Sequence, residues 1–199
     1  MDMRQSIPNW LTYSRILVIP AVVATFYLPD KWGYWVPAWL FLYACITDYL
    51  DGYLARMWSV SSSLGRFLDP VADKLLVATC LMLLVSENRA HIIPAIAILC
   101  REILVSGLRE FLAELRISVP VTTLAKYKTA AQMLAIGILL LGNGLTLSLY
   151  PEIPPDRVAS DPLSELMFWI GNVLLWLAAI LTLVTGYAYF REGVKHLRN

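Results

Sequence analysis

Six apolar segments, separated by turn-forming residues such as Glu87–Asn88, constrain the fold of this chain more than any other feature of its sequence. They cover residues 11–28, 35–49, 74–86, 92–115, 129–150 and 163–190. A helix needs roughly 20 apolar residues to cross a bilayer, and several of these segments approach or exceed that length. Charged residues make up 16% of the chain, whereas a soluble domain carries about a quarter. The pattern therefore predicts an all-α integral membrane protein with six transmembrane helices.

Residues 1–199 are expected to form one membrane domain, because no internal repeat or low-complexity tract divides the chain. Residues 1–10 are too few for a domain and are predicted to form an interfacial segment, with Trp10 at the depth of the lipid headgroups. The first apolar segment lacks the small-residue cleavage site of a signal peptide. Cys45, Cys80 and Cys100 stand singly in apolar segments, so we expect buried packing residues rather than a zinc site or disulfides.

The positions of Lys and Arg predict the orientation in the membrane, since cytoplasmic loops carry an excess of both. With a cytoplasmic N-terminus, thirteen of the 16 basic residues fall on the cytoplasmic side and three, Lys31, Arg89 and Arg157, on the other. Both termini are therefore expected in the cytoplasm, together with the polar stretch between the second and third segments. A bacterial inner (cytoplasmic) membrane is the expected location.

That polar stretch, from Asp48 to Asp73, places four carboxylates at the ends of two apolar segments. On helices, Asp48 and Asp51 share one face, and Asp69 and Asp73 share another. Counting about 1.5 Å per residue from the outer ends of the two segments puts both pairs at a similar depth. They are thus predicted to line one polar cavity open to the cytoplasm. Acids are costly in a membrane unless paired, hydrated or bound to a metal, and oxygen ligands favour magnesium or manganese.

Small residues and one arginine accompany these acids. Gly52, Ala55 and Gly65 let a flat ligand or another helix approach the backbone closely, and Arg56 offers a planar donor for phosphate oxygens. Helix packing and the excess of basic residues in cytoplasmic loops would explain the same residues without a ligand. Packing alone does not explain four membrane-embedded aspartates, so the stretch favours a site for a divalent cation and its substrate.

The spacing D-x2-D-G-x2-A-R-x8-G-x3-D-x3-D is met at all eight fixed positions between Asp48 and Asp73. It resembles the signature of the CDP-alcohol phosphotransferases, which are integral membrane enzymes with six transmembrane helices. The resemblance implies that Asp48, Asp51 and Asp69 hold two divalent ions, Mg2+ or Mn2+. It also implies that Asp73 completes this metal site and acts as the general base. The CDP moiety would be lined by four further residues: Gly52, Ala55, Arg56 and Gly65.

The acceptor alcohol has to be inferred from polar residues outside the signature. Arg101 lies roughly 14 Å below the outer face by helix rise, and an arginine at that depth needs an anion. Glu102 would point about 100° away from it, which predicts a poor partner. Four basic residues form a predicted funnel that suits a phosphorylated acceptor: Arg101, Arg109, Lys126 and Lys128. The positive-inside rule accounts for three of them singly, but not for Arg101.

A polar face at the start of the first segment is a further candidate, since Asn9, Thr12 and Arg15 fall at helical spacing. A helix cap followed by an arginine that reaches the membrane surface explains the same residues. The stretches P-N-W-L-T-Y-S-R, R-E-I-L-V-S-G-L-R-E and K-Y-K-T-A-A-Q-M resemble family members that use CDP-diacylglycerol and glycerol 3-phosphate. This likeness covers residues 8–132. It implies those two substrates, membrane lipids and a homodimer as partners, and no nucleic acid.

The implied reaction is direct displacement of CMP by the acceptor hydroxyl, although attack by a carboxylate stays open. Serine or inositol phosphate as the acceptor also stays open, but serine would not need a basic funnel. An intramembrane prenyltransferase would need a second Asp-rich motif and more spans. A divalent cation transporter would use the four aspartates as its pathway, yet the internal repeats typical of transporters are not visible in the sequence.

Overall fold

The structure, a computed structural model, describes residues 3–29, 31–58, 63–115 and 123–197. All regular structure in these residues is helical. The α-helices are α1 (Met3–Thr25), α2 (Trp32–Trp58), α3 (Ser63–Ser86), α4 (Ile92–Glu114), α5 (Thr123–Leu149) and α6 (Pro162–Leu197). A 3-10 helix, Pro155–Ser160, lies between α5 and α6. The predicted all-α fold is confirmed for the described residues.

Most of these helices are longer than the apolar segments that predicted them, because polar residues continue the helix at one end. The second half of α2 contains Asp48 and Asp51, and the first half of α3 contains Asp69 and Asp73. The helix α1 begins at Met3 and runs through Asn9 without a break. The alternative in which Asn9 caps the helix is therefore wrong, since Asn9 lies in the helix interior.

Two connections depend on a single residue each: the turn after α3 and the turn into α2. Between α3 and α4, Asn88 has a φ of 56°, a left-handed conformation that asparagine tolerates and that commonly follows a helix C-terminus. The turn predicted at Glu87–Asn88 is confirmed. At the start of α2, a Cβ on Gly33 would lie 2.6 Å from the carbonyl oxygen of Leu28. Only glycine allows the chain to approach itself so closely there.

The helices form two compact units, each with its own core. Unit 1 contains Met1–Leu84 and Leu140–Glu165, and therefore α1, α2 and almost all of α3. Its core includes Val22, Ala44, Leu81, Leu84 and Leu140. Unit 2 contains Val85–Leu139 and Leu166–Asn199, and therefore α4 and most of α6. Its core includes Ile98, Leu112, Ile136, Leu175 and Ala178.

In both units many polar side chains are buried while large apolar ones are exposed. Leu17, Leu104 and Tyr187 are 70%, 71% and 70% exposed. The buried polar residues include Thr12, Arg15, Asp51, Arg101, Lys128, Thr146, Asn172 and Thr185. Large exposed apolar patches are uncommon on monomeric soluble proteins and indicate a surface that contacts lipid or protein. Within the described residues, Leu124–Leu149 and Pro162–Arg191 are long and apolar enough to cross a membrane.

The cysteines follow the expectation only in part. Cys80 is buried and Cys45 is partly buried, but Cys100 is exposed. The expectation is wrong for Cys100 because Ile98 and Arg101, three residues apart, share the buried face of α4, and Cys100 falls on another face.

Candidate active site

The four signature aspartates of unit 1 lie in pairs on two helices. Asp48 and Asp51 are almost one turn apart on α2, and Asp69 and Asp73 are about one turn apart on α3. The Asp51 side chain is 7% exposed, whereas those of Asp48 and Asp73 are 45% and 39% exposed. The acidic cluster is therefore closed around Asp51 and open at Asp48 and Asp73, where a ligand can enter.

Arg15 of α1 links three of these aspartates. Its Nη1 donates a hydrogen bond to Asp73 Oδ1 at 2.6 Å and forms an ion pair with Asp48 Oδ1 at 2.9 Å. Its Nη2 donates to Asp51 Oδ2. The planar guanidinium has several donors in a fixed arrangement, so one side chain can hold carboxylates from two helices. Arg15 itself is fully buried.

Thr12 holds the fourth carboxylate. It precedes Arg15 by almost one turn on α1 and donates from Oγ1 to Asp69 Oδ1 at 2.5 Å. All four aspartates thus contact the polar face of α1. The alternative in which Arg15 reaches the membrane surface is wrong, because its side chain is enclosed and occupied by carboxylates. For Asn9, on the same helix, the structure describes the backbone only.

The donor set has the chemistry of a divalent-cation site. Carboxylate oxygens are the ligands that magnesium and manganese prefer, and here several of them already converge on one cationic group. Among the described residues, no three His, Cys, Asp or Glu side chains stand in an arrangement that could hold a metal ion. The guanidinium of Arg15 lies where three carboxylates meet. By their chemistry alone, these oxygen donors suit a hard divalent cation.

The residues implied in CDP binding lie on the same two helices. A Cβ added at Gly52 would meet no heavy atom of the described residues within 4 Å, so packing against those residues does not require a glycine there. This weakens the helix-packing explanation and favours close approach of a ligand. Ala55 and Arg56 lie in α2 and Gly65 lies in α3. For these three residues the structure describes the backbone only.

A second candidate site is a cavity of about 470 Å³ within unit 2. Residues of α4, α5 and α6 line it, and they include all four residues of the predicted basic funnel: Arg101, Arg109, Lys126 and Lys128. Arg101 and Lys128 are buried, whereas Arg109 and Lys126 are exposed. The structure therefore brings these four basic residues together at one cavity. The volume is ample for a small phosphorylated alcohol.

Arg101 has several partners within unit 2. Its Nη2 donates to Thr185 Oγ1 at 3.0 Å, its Nη1 lies 3.4 Å from Glu102 Oε1, and its guanidinium lies 5.9 Å from the centre of the Tyr189 ring. Glu102 also accepts a hydrogen bond from Lys128 Nζ. The expectation that Glu102 is a poor partner is wrong. Both side chains have several rotatable bonds and bend toward each other across the angle that separates their Cβ atoms.

Three residues of α6 surround Arg101 but carry no recognisable motif: Thr185, Gly186 and Tyr189. A Cβ on Gly186 would lie 2.9 Å from Arg101 Cγ, so the glycine lets the arginine stem pack against the helix. The only signal in the sequence is a Thr-Gly pair with a tyrosine one turn after the threonine. That signal is weak, because small and hydroxyl residues are also common where membrane helices pack.

Comparison with known proteins assigns this helical chain to a class. The sequence profile of the CDP-alcohol phosphatidyltransferase family matches residues 5–184, and the chain belongs to this family. The matched region includes the aspartates, Arg15 and the basic residues of the second cavity. Enzymes of this family generally use a divalent metal.

Several relatives are similar over nearly their whole length, and all carry the name CDP-diacylglycerol–glycerol-3-phosphate 3-phosphatidyltransferase. The protein of Rickettsia bellii is 42% identical over 196 residues, which cover 98% of this chain and 99% of the relative. That of Cereibacter sphaeroides is 40% identical over 220 residues and 99% of both chains. That of Pseudomonas fluorescens is 43% identical over 200 residues, 97% of this chain and 92% of the relative. The similarity thus continues beyond residue 132, where the sequence motifs end.

Proposed function

We propose that this chain transfers the phosphatidyl group of CDP-diacylglycerol to glycerol 3-phosphate, which gives phosphatidylglycerophosphate and CMP. The observation that carries the proposal is the similarity to relatives named for this reaction, at 40% to 43% identity over at least 97% of this chain. The convergence of the signature aspartates in unit 1 supports it independently. The reaction is a step of phospholipid biosynthesis.

The donor half of the reaction belongs to unit 1. Asp48, Asp51, Asp69 and Asp73 would hold two Mg2+ or Mn2+ ions, which when bound supply positive charge that stabilises the diphosphate and the departing CMP. Gly52, whose added Cβ would meet no described atom within 4 Å, would let the CDP moiety approach α2. Three further residues of the signature complete the proposed CDP contacts: Ala55, Arg56 and Gly65.

Asp73 is the proposed general base. It takes the proton from the 1-hydroxyl of glycerol 3-phosphate as that oxygen attacks the phosphorus attached to diacylglycerol. The new oxygen–phosphorus bond forms while the bond to CMP breaks. The carboxylate of Asp73 is 39% exposed, so it is accessible to an incoming hydroxyl, whereas the more buried Asp51 is not. Proton transfer to a positioned side chain contributes about 10²–10⁴-fold to such reactions.

The acceptor phosphate is the proposed ligand of the unit 2 cavity. Arg101, Arg109, Lys126 and Lys128 all line this cavity, and their combined charge attracts an acceptor that carries its own phosphate. Arg101 Nε is buried and has no hydrogen-bond partner among the described residues, so a donor is available there. Serine has no phosphate, so a serine acceptor would not explain why four basic residues line this cavity.

We further propose that all six α-helices span the membrane, with both termini and the acidic cavity on the cytoplasmic side of a bacterial inner membrane. Each α-helix has at least 23 residues, more than the roughly 20 that a bilayer requires. The exposed apolar side chains of both units support contact with lipid. Residues 1–199 as one membrane domain, and a homodimer, stay predictions.

One assay tests the function. The purified protein is incubated in detergent with Mg2+, CDP-diacylglycerol and one alcohol at a time, and released CMP is measured. Release with glycerol 3-phosphate, dependent on Mg2+, is the expected result. Release only with serine or inositol phosphate would contradict the proposed acceptor. No release with any alcohol would contradict the enzyme and favour a divalent cation transporter, which metal-uptake measurements in proteoliposomes would then detect.

Replacing Gly52 by alanine is expected to weaken CDP-lipid binding without harming the fold. The added methyl group meets no heavy atom within 4 Å in the described part of the chain, and alanine favours a helix over glycine by roughly 0.5–1 kcal/mol. The melting temperature should therefore stay the same or rise, while the KM for CDP-diacylglycerol rises about tenfold, the effect of roughly 1.4 kcal/mol. The matched control is Gly137→Ala on α5, where a methyl group also enters open space. An equal KM effect in both variants would contradict a CDP contact at Gly52.

Replacing Gly186 by alanine is expected to displace Arg101, because the new Cβ would lie 2.9 Å from Arg101 Cγ. The KM for glycerol 3-phosphate should rise while that for CDP-diacylglycerol changes little. Gly171→Ala is the control, because Gly171 lies on the same helix as Gly186. Its added Cβ would lie 2.5 Å from the side chain of Leu139, which is apolar. This control should lower the melting temperature without a selective change in either KM. A selective effect in Gly171→Ala alone would refute the role of Gly186.

A further inference from the structure

We propose that Arg15 is a built-in counter-cation that holds Asp48, Asp51 and Asp73 together when no divalent ion is bound, and that it competes with the ion for the same carboxylate oxygens. The proposal rests on the metal requirement of the proposed function. Under this proposal Arg15 does not support the metal ligands. Its removal should strengthen metal binding instead of weakening it.

The competition is inferred from the contacts that Arg15 makes. Asp73 Oδ1 lies 2.6 Å and Asp48 Oδ1 lies 2.9 Å from Nη1, and Asp51 Oδ2 bonds Nη2. Magnesium binds oxygen ligands at about 2.0–2.1 Å and demands near-octahedral geometry. A bound ion therefore needs shorter contacts to these oxygens than the guanidinium makes. The same oxygens cannot serve both cations in full.

The charge balance explains why a counter-cation is needed. The four ionised aspartates carry four negative charges, and Arg15 supplies one positive charge, which leaves a formal charge of −3. Carboxylates close together repel each other strongly where water is scarce. Arg15 is fully buried and reduces that repulsion, while Thr12 donates to the remaining carboxylate, that of Asp69. The residual negative charge still attracts a divalent cation.

The bonding of Arg15 is also incomplete, which makes its displacement feasible. Its Nε is buried and has no hydrogen-bond partner among the described residues. A buried donor without a partner costs free energy. The arrangement around the guanidinium is thus held by its terminal nitrogens alone, and those are the groups that the metal ion would replace.

The experiment measures Mn2+ binding to detergent-purified protein without substrate, from the electron paramagnetic resonance signal of free Mn2+. Thermal unfolding is recorded in parallel, with a chelator and with saturating Mn2+. Arg15→Gln removes the charge and keeps a polar side chain of similar length. Arg15→Lys keeps the charge but replaces the planar, multi-donor guanidinium by a single ammonium group.

Arg15→Gln is expected to bind Mn2+ roughly tenfold or more tightly than the native protein, because a like charge within a few ångströms of the ion is removed. Arg15→Lys should fall between the two. With the chelator, Arg15→Gln should melt at a lower temperature than the native protein, and Mn2+ should restore most of the difference. If Arg15→Gln does not fold, the comparison of Arg15→Lys with the native protein decides the question, since tighter binding is still expected.

The control is Arg89→Gln, which removes another buried arginine, one that donates to the Leu139 carbonyl within unit 2. This variant should lose thermal stability without any change in Mn2+ affinity. Equal or weaker Mn2+ binding by the Arg15 variants would overturn the proposal and make Arg15 a support for the metal ligands. Absence of Mn2+ binding by the native protein would overturn the proposed metal site as well, so the two failures are distinguishable.

Discussion

Asp73→Asn is expected to reduce kcat about 10²–10⁴-fold, the usual contribution of a general base. Asparagine has the same shape as aspartate and can still accept the hydrogen bond from Arg15 Nη1 that Asp73 Oδ1 accepts at 2.6 Å. It cannot take a proton from the acceptor hydroxyl. Binding of CDP-diacylglycerol in the presence of Mg2+ should therefore change only a few-fold, as measured with radiolabelled lipid.

A matched control for this variant is Asp161→Asn at the start of α6. Asp161 Oδ1 accepts a hydrogen bond from the backbone N–H of Leu163 at 2.9 Å, and asparagine caps helices about as well as aspartate. Its activity should equal that of the native protein. If Asp73→Asn lost lipid binding and turnover to the same extent, Asp73 would be chiefly a metal ligand and the base would have to be another group.

Arg101→Gln is expected to raise the KM for glycerol 3-phosphate about 10- to 150-fold, because a hydrogen bond to a charged group contributes about 1.5–3 kcal/mol. The KM for CDP-diacylglycerol should change less than about twofold, since the signature aspartates that would bind the donor are untouched. Glu102 keeps its hydrogen bond from Lys128 Nζ, so the substitution does not leave this partly buried carboxylate without a cation. Steady-state kinetics with each substrate varied in turn measure both constants.

The comparison for this prediction is again Arg89→Gln, since Arg89 and Arg101 are both buried arginines of unit 2. Loss of the Arg89 side chain should lower the melting temperature and leave the ratio of the two KM values unchanged. A parallel rise of both KM values in Arg101→Gln would mean that the arginine stabilises the fold of α4 and α6 instead of binding the acceptor phosphate.

Much of the fold was predictable because apolar segments of this length have few alternatives in a membrane. The six segments predicted six α-helices, and the turn at Glu87–Asn88 appeared as expected. Helix ends were less predictable. Polar residues such as Asp48 and Asp73 interrupt the apolar pattern but continue the helix, since helical hydrogen bonds do not depend on the polarity of the side chain.

Partner choice among polar side chains was the least predictable part of the site. The angle between adjacent residues argued against a contact of Arg101 with Glu102, yet long side chains make it. Thr185 and Tyr189 approach Arg101 from a helix more than 80 residues away in sequence, at 3.0 Å for the Thr185 hydroxyl. The residues next to Thr185 and Tyr189 in the sequence do not indicate a contact with such a distant part of the chain.

The sequence by itself indicated the class of protein, because the eight positions between Asp48 and Asp73 resemble a family signature, and the family profile then matched residues 5–184. It also predicted that the four aspartates are paired, hydrated or bound to a metal, since acids are otherwise costly in a membrane. Only the tertiary structure decided that a cation of the chain itself, Arg15, lies among three of these aspartates: Asp48, Asp51 and Asp73. That contact joins α1 to α2 and α3, and it depends on how the three helices pack, which no spacing along the chain specifies.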